Sequence, residues 1–144
     1  MEANKELKSI INSGRIPNAF LFEGPAGSGK LKSAIEFTQS LFMLNSSNNS
    51  LNTNFSTSLA HPDFHIIFPI PNSEKKAENS CDFYCKDWIE YAVSNDLEIN
   101  IKEWNDKLDI KKQPQIGINT ISTLYKKLSL SSFASGYKVV LFWM

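Results

Sequence analysis

Residues 24 to 30, GPAGSGK, have the spacing of a loop that wraps phosphate groups, with Gly24, Gly27 and Gly29 freeing the backbone to curl and Lys30 closing the turn. Each part has a separate task. Successive backbone N–H groups point at one centre, and the start of a following helix adds partial positive charge. The lysine reaches the β and γ phosphates of a nucleoside triphosphate, and the next residue of GxxxxGK[ST] brings a hydroxyl that ligates Mg²⁺. Here that next residue is Leu31. The candidate phosphate-binding residues are therefore Gly24, Pro25, Ala26, Gly27, Ser28, Gly29, Lys30 and Leu31, and no catalytic residue is assigned. Loss of a charge-assisted contact amounts to about 1.5–3 kcal/mol, roughly ten- to 150-fold. A hydrocarbon at this position also displaces the ordered water that Mg²⁺ gives up reluctantly. Ser33 lies two residues on and faces another side of the helix. The expectation is a loop that cradles ATP or ADP weakly or not at all, is unsuited to Mg²⁺, and does not turn nucleotide over.

Such a loop needs a strand before it and a helix after it. AFLFE (19–23) supplies a compact apolar run that predicts the strand. From Lys30 onward Leu31, Ala34, Ile35, Thr38, Leu41 and Phe42 recur at helical spacing. Upstream, Leu7, Ile10 and Ile11 form one stripe of a short helix over 4–13, which Gly14 is placed to end. Downstream, HPDFHIIFPIP predicts a second strand, and residues 115–130 predict a helix with Ile118, Ile121, Leu124, Tyr125 and Leu128 on its apolar stripe. YKVVLFWM reads as a final buried strand that stops without a polar tail, so the chain reads as part of a longer protein. Strands alternating with helices predict a parallel sheet of the α/β class.

Two stretches interrupt that frame. Residues 45–60 are dominated by Asn, Ser and Thr and predict a mobile surface loop. Residues 72–113 read as a helical insertion, with amphipathic segments CKDWIEYAV and INIKEWNDKL carrying Trp88, Tyr91, Ile101 and Trp104. These aromatics suit either the insertion's own small core, the commoner role at helical spacing, or a partner surface.

At 144 residues with 42% apolar side chains the chain suffices for one domain, 1–144. Fifteen basic and fifteen acidic side chains leave no net field to draw nucleic acid or anionic lipid. The pairs Lys75–Lys76, Lys111–Lys112 and Lys126–Lys127 read as solvated helix faces, and no DNA site is assigned. No apolar leader or membrane-length run occurs, which predicts a cytoplasmic protein without membrane contact. Cys81 and Cys85 read as free thiols, and with His61 and His65 they lack the compact CxxC pairing of structural zinc sites. Arg15 is the only arginine.

The order GRIPNAFLFEGPAGSGK, HPDFHIIFP and QIGINTISTLYKKLSLSSFASGYKVVLFWM resembles the delta-prime and gamma/tau group of the bacterial DNA polymerase III clamp loader, within the AAA+ superfamily, with delta-prime the nearer. The resemblance spans nearly the whole chain apart from the Asn/Ser loop and the insertion. It implies a P-loop NTPase (AAA+) parallel sheet flanked by helices and truncated at Met144, with the Walker B acids, sensor residues and arginine finger lying beyond that residue. The implied partners are other clamp-loader subunits and, through the complex, the sliding clamp and primer-template DNA. Arg15 to Asn18 match the segment that borders the adenine pocket in relatives, while Arg15 is poorly placed for a finger acting on a neighbour's ATP. Many relatives carry four cysteines as a zinc module before HPD; none stands in that interval here, so no zinc is implied. The missing middle strand would leave a sheet edge open to pairing. Three readings follow: a non-hydrolysing clamp-loader subunit, an active P-loop ATPase or nucleotide kinase, and a module whose insertion binds a partner protein.

Overall fold

The computed structural model describes residues 2–44, 54–133 and 136–144. The stripe of Leu7, Ile10 and Ile11 folds as α1 (Glu2–Ser13), with those three side chains half-buried. Gly14 ends it at φ 67°, donating its N–H to the Ile11 carbonyl at 3.2 Å. After the glycine-rich loop comes α2 (Lys30–Leu44), which buries Ala34, Ile35, Phe37, Thr38, Leu41 and Phe42. The sequence from 45 to 53 lies outside the described residues. The rest of the polar stretch is not a loose loop: α3 (Phe55–Ser58) forms there, and Phe55 is fully buried. Its ring packs edge-on to Phe42 and Phe64 with centroids 5.2 and 4.8 Å away, pairs that contribute about 0.5–1.5 kcal/mol each.

The sheet has two parallel strands, β1 (Phe64–Ile67) and β2 (Val139–Phe142), in the register Phe64↔Val139 to Ile67↔Phe142. Parallel pairing of strands separated by helices is the expected α/β arrangement. Residues 19–23 depart from it. They form no strand, because a strand exists only through another chain segment's N–H and C=O groups and, among the described residues, none pairs with them. Phe20 instead rests on Phe37 of α2, centroids 4.8 Å apart, and Leu21 is 88% exposed.

Between the strands run α4 (Cys81–Ser94), α5 (Ile101–Lys107) and α6 (Ile118–Leu128). Ser80 caps α4 by accepting the Asp82 N–H at 3.4 Å, and Asn100 caps α5 by accepting the Glu103 N–H at 2.9 Å. Trp88 and Trp104 are fully buried, and both contact Phe68, just past β1, while Trp88 also meets Trp143, just past β2. The segment 72–113 thus has no separate small core, since its aromatics belong to the core of the sheet itself. The indole N–H of Trp104 donates to the Pro69 carbonyl at 3.0 Å.

The predicted apolar stripe of α6 is largely overturned. Only Leu124 of the five is buried, together with Thr120, whose hydroxyl accepts the Cys81 N–H at 3.1 Å. That hydrogen bond and the Lys127–Asp82 pair at 2.6 Å turn the Thr120–Leu124 side inward, and Ile118, Ile121, Tyr125 and Leu128 face out.

Candidate functional site

The glycine-rich loop is set by its own backbone needs. Gly29 sits at φ 75°, a region that costs other residues roughly 1–2 kcal/mol. A Cβ on Gly24, which sits at φ 155°, would meet the Ser28 hydroxyl oxygen at 3.0 Å, so a side chain there would have to push that hydroxyl aside. The Ser28 N–H donates to the Pro25 carbonyl at 3.3 Å and closes the turn. Residues 24–27 are exposed, and Ser28, Gly29 and Lys30 are half-buried at the base.

The Lys30 side chain bends back over the loop. Its ammonium donates to the carbonyls of Gly24 at 2.8 Å and Pro25 at 2.5 Å, with the Ser28 hydroxyl at 3.4 Å. The cation is therefore held at the loop and not extended into solvent. The N–H of Ser33 reaches the Gly29 carbonyl at 2.9 Å and starts the α2 ladder. An α-helix leaves its first N–H groups without intrahelical partners, and no acidic residue stands in the first turn of α2 to neutralise them. The positive end of a 15-residue helix thus begins at Lys30, whose ammonium is held at the loop, a combination that could attract an anion.

Leu31 takes the other direction. It is half-buried and packed against the core, contributing to the seat of α2 and nothing to the loop's polar surface. Gly24 to Lys30 are the residues that could hold a phosphate group, and position 31 lacks the hydroxyl that would ligate Mg²⁺ beside it. Lys32, on the same turn, is engaged elsewhere: its ammonium pairs with Asp96 at 2.9 Å, which raises its pKa chiefly through that hydrogen bond. Arg15 is exposed, and its backbone N–H donates to the Ser13 hydroxyl at 3.2 Å.

The histidines and cysteines do not assemble into a site. His61 is buried, stacked on Phe42 with centroids 3.9 Å apart, and its Nδ1 accepts the Asp63 N–H at 3.0 Å. Burial pushes its pKa down, against a smaller opposing pull from Asp63. His65, Cys81 and Cys85 line a cavity of about 70 Å³ between β1, α4 and α6. Burial, then Lys127 and Lys138, depress the His65 pKa, and burial raises both thiols, which keeps them protonated and poorly nucleophilic. Among the described residues no group of three His, Cys, Asp or Glu side chains is arranged to hold a metal ion.

Sequence reasoning assigned no role to Asp63. Its side chain is 1% exposed and accepts the Phe133 N–H on both oxygens, at 2.7 and 3.0 Å, while its carbonyl accepts the Val139 N–H at 2.9 Å. It ties the segment entering β2 to the start of β1. An acid inside an otherwise apolar run was the available signal.

A family model described as DNA polymerase III, delta subunit, matches residues 1–144. DNA polymerase III subunit delta' of Bacillus subtilis (strain 168) is 36% identical over 78 residues, covering 51% of this chain and 24% of that relative. The match thus spans about a quarter of the relative's length. No solved structure matches.

Proposed function

Because the chain belongs to the DNA polymerase III, delta subunit family, we propose that it serves in DNA replication as part of a clamp-loader subunit of the AAA+ type, one whose phosphate loop cradles ATP or ADP weakly and does not hydrolyse it. Its partners in this reading are the other clamp-loader subunits, and through them the sliding clamp and primer-template DNA. The likeness to a delta' protein supports the assignment to the clamp loader.

The observation that carries the non-hydrolysing part is the packing of half-buried Leu31 against the core at the place where a metal-ligating hydroxyl is needed. Gly24 to Lys30 would hold the phosphates, with the Lys30 ammonium swinging from the Gly24 and Pro25 carbonyls toward the anion. Arg15 to Asn18 would border the adenine. Without a hydroxyl at position 31, Mg²⁺ has no protein ligand from the loop, and the charge that develops on the leaving phosphate goes unneutralised.

The test is titration of a fluorescent ATP analogue into the chain and into Lys30→Ala, with Mg²⁺ and with a chelator, alongside phosphate release. The expected outcome is binding that Mg²⁺ does not strengthen, is weakened by Lys30→Ala, and is accompanied by no steady turnover. Phosphate release at rates typical of a P-loop ATPase, abolished by Lys30→Ala, would overturn the proposal.

A further inference from the structure

The outward side of α6 carries Ile118, Ile121, Tyr125 and Leu128, at i, i+3, i+7 and i+10. Ile118 is 77% exposed and Tyr125 74%, with Ile121 and Leu128 close to 40%. That spacing is the a/d pattern by which one helix seats another, and the four side chains form a single apolar ridge, not scattered surface residues. Leu130 and Phe133, past the C-terminal end of the helix, are also exposed.

The helix itself carries Lys126 and Lys127 in its last turn and neither Asp nor Glu. From residue 110 to 144 the chain has five lysines and neither Asp nor Glu. At the C-terminal end of α6 the Lys127 ammonium is committed to Asp82, and the Lys138 ammonium to the Lys127 carbonyl at 2.7 Å. Lys126 is exposed and makes no ion pair among the described residues. A second copy of the same helix would bring more lysines and no carboxylate. Nucleic acid would require the lysines to lie along the ridge, whereas the ridge itself is hydrocarbon and tyrosine.

We infer that this face of α6 is a docking site for an amphipathic α-helix of a partner protein, one that lays apolar residues at heptad spacing along Ile118–Leu128 and places Glu or Asp beside Lys126. Apolar contact supplies the affinity, and the lysine end sets the direction in which the helix lies. A single ridge of four side chains is small, so one isolated helix binds it in the micromolar range and the contact works as one part of a larger assembly. The inference uses no residue of the phosphate loop, so its failure and that of the nucleotide reading are distinguishable.

The test uses the full chain and a synthetic peptide with Leu at heptad a and d positions and Glu at the flanking ones, followed by fluorescence anisotropy. A peptide with Lys in place of each Glu and a short DNA duplex are the comparisons. The expected result is saturable binding of the Glu peptide at micromolar concentration, at least about tenfold weaker binding in Tyr125→Glu, and weaker binding of the Glu peptide alone in Lys126→Glu. Circular dichroism reports whether each variant is folded, and Ile118→Ser serves if Tyr125→Glu is not. No saturable binding, equal binding of the Lys peptide, preference for the duplex, or a self-association in sedimentation that Tyr125→Glu removes would each overturn the inference.

Discussion

Restoring a hydroxyl at position 31 tests the central chemical claim. Leu31→Thr removes a half-buried side chain from the core side of α2. Full burial of a leucine contributes about 1.5–3 kcal/mol, so roughly half of that, about 1 kcal/mol of stability, is lost. The gain falls on the metal complex. A charge-assisted contact between the new hydroxyl and Mg²⁺ amounts to about 1.5–3 kcal/mol, or roughly ten- to 150-fold in affinity. The assay is the ratio of dissociation constants for a fluorescent ATP analogue with chelator and with Mg²⁺. The parent chain is expected to give a ratio near unity and the variant a ratio of about ten or more, with thermal unfolding used to establish that both are folded. A parent chain already strengthened tenfold by Mg²⁺, or a folded variant with an unchanged ratio, would refute the account of Leu31.

Three further outcomes follow from the packing. Burial lowers the pKa values of His61 and His65 from the ordinary 6.5, so the folded state binds fewer protons than the unfolded one. Stability is therefore fully present above pH 6.5 and falls as pH drops through that value toward the folded pKa values; a urea midpoint flat from pH 7 to about 5 would contradict this. Trp104→Ala empties the position between Phe68 and Tyr91 and leaves the Pro69 carbonyl without its donor, at a cost of about 3–5 kcal/mol measurable by denaturant unfolding. Cys81, 2% exposed with its thiol raised in pKa and bonded to the Phe68 carbonyl at 3.1 Å, is expected to resist an aromatic disulfide reagent in the native state and to react once the chain is unfolded.

The glycine-rich turn and the helix that follows it were legible because each depends on local spacing. Glycines three and two apart followed by lysine specify a turn and a helix start wherever they stand, and α2 and β1 announce themselves by periodicity or a continuous apolar run. What spacing does not carry is the identity of the neighbour. AFLFE has the composition of a strand, yet no main chain among the described residues pairs with it, and Phe20 turns to Phe37 instead. The α6 pattern identified an amphipathic helix but assigned its inner face to the apolar side. The choice is made by Thr120 meeting the Cys81 amide and Lys127 meeting Asp82, contacts 39 and 45 positions apart in sequence. Phe55 was lost among Asn, Ser and Thr, although one aromatic residue there completes the group of Phe42, His61 and Phe64. For the site, the direction of Leu31 followed from its place on the helical stripe. The return of the Lys30 ammonium onto the Gly24 and Pro25 carbonyls had no counterpart in the sequence, because it depends on the curl of the loop in three dimensions.

Strand partners β1 and β2 have a bearing on how the chain acquires its shape. Phe64 pairs with Val139, 75 positions later, so the only ladder among the described residues closes a very long loop. Such closure is entropically unfavourable until the intervening helices have condensed on Phe68, Trp88 and Trp104. Refolding from denaturant should accordingly show the tryptophans leaving water before the β1–β2 amides gain protection against hydrogen exchange.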